Sequence, residues 1–115
     1  MQIQVTHDRN IEGGERLTSF VESTMEASLS RYSDRLTRVI VHLADENSHK
    51  TSDNDKRCSI EARPAGHSPI AVTNHASNLD EAIDGAAVKM ERLLEHTFGR
   101  HDNHKGKTPM GGPTG

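Results

Sequence analysis

The chain has 115 residues but only one cysteine, one tyrosine and two phenylalanines, and no tryptophan. A single cysteine cannot close an internal disulfide and suits a reducing, cytosolic compartment. With so few aromatics, the core must be built from Leu, Ile, Val, Met and Ala. No apolar run approaches the roughly 20 residues that span a bilayer. The opening Met1-Gln2-Ile3-Gln4-Val5 lacks the positive and apolar regions of a secretory signal, and there is no Asn-x-Ser/Thr sequon.

Motifs of catalysis and metal binding are also missing. There is no Cys-x-x-Cys, His-Glu-x-x-His, Gly-x-Ser-x-Gly, Walker motif or Gly-x-Gly-x-x-Gly. Eight histidines are present, and His96, His101 and His104 lie close together, but without convincing ligand spacing. Cys58 falls on the apolar side of an alternating segment, which reads as a small core residue. Gly13-Gly14 before a helix is weak support for an anion site. Glu91 and Glu95 read as an ordinary solvated helix face. No set of catalytic roles assembles. The expectation is a domain that binds and does not catalyse, with no metal, cofactor, small-molecule substrate or membrane partner.

The length suits one domain. Gln2 to His7 alternates apolar and polar, the period of a half-buried strand. Asp8 to Gly14 is turn-like. Leu17, Phe20, Val21, Met25, Leu29 and Tyr32 form one stripe of a helix over Glu15–Tyr32. Thr37 to Asp45 is β-branched, with Val39, Val41 and Leu43 on one face. Glu46 to Asp55 is wholly polar and reads as a solvated hairpin loop. Lys56 to Arg63 alternates, with Cys58, Ile60 and Ala62 on the apolar side. Pro64-Ala65-Gly66-His67 signals a turn, and Pro69 to His75 is a fourth strand, where a proline is tolerated at the first residues. Ser77 or Asn78 caps a long second helix, with Asp80 and Glu81 in its first turn. Leu79, Ile83, Ala86, Met90, Leu93, Leu94 and Thr97 form its buried stripe, and Gly99 is its expected end. Residues 101–115 are expected to be a flexible polar tail.

The order β-α-β-β-β-α predicts an α+β domain over residues 1–100. Two helices would cover one face of a four-stranded sheet. The first two strands would be parallel and the rest an antiparallel meander.

The formal net charge is -3, which argues against coating nucleic acid by bulk charge but allows a local basic patch. Lys89, Arg92, His96 and Arg100 fall within an arc of roughly 80° on the second helix, while Asp84, Glu91 and Glu95 lie on another side. Arg31, Arg35 and Arg38 form a second cluster at the end of the first helix and the start of the second strand. Cations there also complement the helix dipole. Arg57 and Arg63 occupy the polar side of the third strand. No exposed aromatics interleave with these charges, so an RNA would be held by backbone and shape, not by base stacking.

Three stretches carry a family resemblance. Met1-Gln2-Ile3-Gln4-Val5-Thr6 is similar to the first strand of the ribosome hibernation-promoting factors, also called ribosome-associated inhibitors or ribosomal subunit interface proteins. Arg31-Tyr32-Ser33-Asp34-Arg35-Leu36-Thr37-Arg38-Val39 resembles their helix-to-strand junction. Asn78 to Asp84 and Lys89-Met90-Glu91-Arg92-Leu93-Leu94 resemble their last helix. The match covers about residues 1 to 100 of this chain and is to the short form of the family. It implies a fold similar to double-stranded-RNA-binding domains. It also implies binding of rRNA in the mRNA and tRNA channel of the small ribosomal subunit, which would block translation and preserve idle ribosomes. Lys89 and Arg92 match the last-helix motif, Arg31 and Arg35 the junction, and His96, Arg100 and Arg38 extend these groups. Family members usually carry several lysines along the first helix, where this chain reads Glu22-Ser23-Thr24-Met25-Glu26-Ala27-Ser28. A competing expectation is therefore a diverged protein-interaction module of the same fold without rRNA binding. A small hydrolase or metal protein is a third.

Overall fold

The computed structural model describes residues 1–9, 11, 14–46 and 55–105, with side chains described as far as Gly99. The elements are β1 (Gln2–His7), α1 (Glu15–Leu29), a 3-10 helix (Ser30–Arg35), β2 (Leu36–Asp45), β3 (Lys56–Pro64), β4 (Ile70–Ala76) and α2 (Leu79–Lys105). The four strands lie in sequence order in one sheet. β1 runs parallel to β2, and β2, β3 and β4 are antiparallel neighbours. The α+β architecture expected from the residue pattern is the one observed.

Alternation decides which side of the sheet is covered. Val39, Val41, Leu43, Cys58, Ile60 and Ala62 are all fully buried beneath the helices. Ile3, Val5, Ile70 and Val72 extend the same face as half-buried neighbours at the edges. The opposite face carries Gln2, Gln4 and Thr6 of β1 beside Arg38, Ile40 and His42 of β2. Those in turn lie beside Arg63, Glu61 and Ser59 of β3. This polar face is open. The Thr6 hydroxyl and His42 Nδ1 are 2.7 Å apart across it.

The helices are bound by Val21, Met25 and Leu29 of α1 and Ala82, Ile83, Ala86, Ala87, Met90, Leu94 and Phe98 of α2. Asn78 caps α2, its Oδ1 accepting from Glu81 N–H at 2.8 Å. Several boundaries differ from expectation. Tyr32 lies in the 3-10 helix, because the chain tightens after Leu29 before entering β2. The helix α2 runs through Gly99 to Lys105, into the first five residues expected to be tail. Gly99 lacks the positive φ of a helix-ending glycine, and a helical glycine costs only about 1 kcal/mol. Residues 106–115 lie outside the described residues, as do 47–54 of the polar loop. The loop's last residue, Asp55, is buried, not solvated. Its carbonyl accepts from Glu46 N–H at 2.7 Å and closes the base of the hairpin. Ile11, within the turn-like stretch after β1, joins the core.

Candidate nucleic-acid interface

The 3-10 helix follows α1 and ends where β2 begins, so Arg31 and Arg35 stand at one end of the sheet. α2 starts beside the last residue of β4 and runs back antiparallel to it, bringing its C-terminal half to the same end. There Tyr32 and Phe98 stack, with centroids 5.6 Å apart and planes 22° from parallel. The Arg35 guanidinium lies 4.5 Å from the Phe98 centroid, and that of Arg31 lies 5.2 Å from the Tyr32 centroid. Each such contact stabilises by about 0.5–1 kcal/mol at an exposed site. Guanidinium N–H groups lie in the plane of the group, so stacking on a ring does not consume them.

The turn between β3 and β4 completes this end. Gly66 has φ +79°, the left-handed value a type II turn needs at its third residue, and His67 N–H closes the turn on Pro64 O at 3.2 Å. Ala65 N–H donates to Arg35 O at 2.8 Å, fixing the turn against the 3-10 helix. His67 thereby meets the Phe98 ring edge-on, with centroids 5.4 Å apart.

The seven cationic candidates do not form one patch. Arg31 and Arg35 are brought together over the two rings. Arg38 projects from the open face of the sheet, opposite Arg63. Arg92 and His96 are exposed on α2. They lie on the side of Lys89, whose ammonium donates to the β4 edge carbonyl Thr73 O at 2.9 Å. Lys89 thus helps seat α2 on β4. Arg100 is helical, and its side chain lies outside the described residues. The acidic Glu91 and Glu95 share the side of Ala87 and Phe98. Phe98 meets Tyr32 there, so the C-terminal part of this edge is turned toward the 3-10 helix. The solvent face of α1 carries Glu15, Glu22 and Glu26, with Arg16 as its only cation.

Two residues outside the candidate set stand at the same end. His67 and Phe98 were not legible as site residues, because their roles depend on the β3–β4 turn meeting α2. The signal for Phe98 as a buried residue was present: it lies four residues after Leu94 and eight after Met90. The cysteine fits its structural role. Cys58 is fully buried, and burial pushes its thiol up to about 12. No cluster of three or more potential metal-ligating residues occurs among the described residues.

Residues 3–101 match the family described as sigma 54 modulation protein / S30EA ribosomal protein. Among solved structures, the chain is similar to the N-terminal domain of Protein Y from Thermus thermophilus. The two share 25% identity at a TM-score of 0.68, over 84% of this chain and 99% of that one. The fold is also that of a ribosomal subunit interface protein from Coxiella burnetii, at 16% identity and a TM-score of 0.68, over 86% of this chain and 99% of that one. No curated protein matches the chain. The chain belongs to the sigma 54 modulation protein / S30EA ribosomal protein family, a family of ribosome-associated modulation factors.

Proposed function

We propose that this chain is a hibernation factor acting in the cytoplasm. It binds the small ribosomal subunit in the mRNA and tRNA channel and holds the ribosome inactive under starvation or stress. The observation that carries this reading is the arrangement of Arg31 and Arg35. Both guanidiniums are stacked on the Tyr32–Phe98 pair at one end of the domain, with His67 beside them. Such a surface suits phosphate oxygens, which accept from guanidinium forks. The rings themselves are buried, so the contact is with the RNA backbone and its shape. Arg92 and His96 extend the cationic surface along α2.

Sucrose-gradient profiles of stationary-phase lysate at two salt concentrations test it. The protein is expected to travel with small subunits or whole ribosomes at low salt and to be released as salt rises. Reversal of both charges, Arg31→Glu with Arg35→Glu, is expected to abolish the association. Absence from ribosomal fractions at low salt would overturn the reading.

A second reading draws on α1, whose exposed Glu22 and Glu26 stand on a helix where RNA would meet repulsion. It is a protein-interaction module of the same fold. On that reading, the Arg31/Arg35 reversal leaves partner binding intact, whereas Glu22→Lys with Glu26→Lys removes it.

A further inference from the structure

The open face of the sheet treats its cations differently at its two ends. At the hairpin end, Arg57 and His75 are cross-strand partners, and the Glu46 carboxylate bridges them. It lies 3.1 Å from Arg57 Nη1 through one oxygen and 3.1 Å from His75 Nε2 through the other. On the covered side of the sheet at the same end, Lys56 Nζ is 3.4 Å from Asp45 and 3.3 Å from Asp55. Basic side chains placed directly opposite in a ladder repel one another when both are charged. Here a carboxylate stands between them.

The other end has the same cross-strand juxtaposition without the bridge. Arg38 and Arg63 are partners in the β2–β3 ladder. Both project from the open face, since Val39 and Ala62 beside them are buried under the helices. On its far side Arg38 faces Gln2, an amide and not a carboxylate. Glu61 lies 3.7 Å from Arg63 Nε, but it precedes Arg63 on the same strand and serves one guanidinium. Arg38 is half-buried, and its side chain has no ion pair or hydrogen-bond partner among the described residues.

We infer that Arg38 and Arg63 hold a backbone phosphate of the bound RNA between them, in the place that Glu46 occupies at the opposite end of the sheet. A phosphate offers enough acceptor oxygens for two guanidinium forks. The anion surface then passes around the end of the domain, from Arg31 and Arg35 on the helix side to Arg38 and Arg63 on the open side. RNA then touches the 3-10 helix on one side of this end and the open face of the sheet on the other. The role of the pair rests on the reading of rRNA as the partner.

The test uses the full chain and purified small ribosomal subunits, titrated over a series of salt concentrations. Arg38→Gln with Arg63→Gln is compared with wild type and with Arg31→Gln/Arg35→Gln, and thermal midpoints are measured in parallel. The Arg38/Arg63 double variant is expected to bind more weakly. Its log–log salt slope should be shallower by about 0.7–0.9, because one phosphate is no longer neutralised. Its thermal midpoint should equal or exceed that of wild type, because a repulsion is relieved. Wild-type affinity and slope in this variant, alongside abolished binding in Arg31→Gln/Arg35→Gln, would overturn the inference and leave the ribosomal reading standing. A lowered thermal midpoint accompanying weaker binding would also overturn it, making the pair a support of the sheet. No binding by wild type would remove both.

Discussion

Arg31, Arg35 and Arg38 are close neighbours in sequence, yet they end on two faces of the molecule. The 3-10 helix turns Arg31 and Arg35 toward the aromatic pair, and the strand alternation that begins at Leu36 sends Arg38 to the open face. Sequence spacing identified these residues as cations at a junction. It did not divide them between surfaces, because that division depends on where the helix tightens and the strand begins. Cys58 was the easier residue to read: alternation placed it in the core, and the core is where it lies. Its ordinary thiol value is 9.0, against about 12 in the fold. Between these values the unfolded chain has lost a proton that the native chain keeps, so stability falls as pH rises, by at most about 1.4 kcal/mol per pH unit from this group. Stability of wild type and Cys58→Ala, followed by denaturant unfolding from pH 9 upward, should show the flatter decline in the variant. A disulfide reagent should label Cys58 promptly in denaturant and slowly in the native protein. Rapid native labelling would contradict the buried assignment.

Among the elements, the strands were the most legible. Each carries a period-two pattern over six or more residues, and the element order then left few topologies. The second helix was legible in position but not in extent. Its buried stripe is broader than the Leu, Ile and Met positions alone, because Ala82, Ala87 and Phe98 also pack inward. The seat of α2 on β4 left no signal in the sequence. The Asn74 amide donates to the carbonyls of Glu81 and Ala82, at 3.4 and 3.2 Å. It occupies space opened by Gly85, where a Cβ would lie 2.9 Å from Asn74 Cγ. Helix propensity alone favours Gly85→Ala by about 1 kcal/mol. The crowding at Asn74 opposes it and displaces the two hydrogen bonds. Gly85→Ala is therefore expected to destabilise the native protein, yet to stabilise it in an Asn74→Ala background. Denaturant unfolding of the four proteins in the cycle measures the coupling. Equal effects in both backgrounds would show that the contact does not constrain α2.

At the scale of the whole molecule, the net charge of -3 conceals a separation. The hairpin end of the sheet pairs its cations with Asp45, Glu46 and Asp55, and α1 presents glutamates to solvent. The opposite end collects Arg31, Arg35, Arg38 and Arg63 with His67. On the proposed reading, this separation would let a net acidic domain meet RNA by its basic end. Total charge says nothing of this, and no motif in the chain announces it; only folding places the 3-10 helix, the β3–β4 turn and α2 together. The most direct measurement is the affinity of the full chain for purified small ribosomal subunits as a function of salt, with and without Arg31→Glu/Arg35→Glu. Tight binding at low salt that weakens linearly on a log–log plot, and that the double reversal abolishes, is the predicted result. Absence of binding, or binding indifferent to both salt and the reversal, would contradict it.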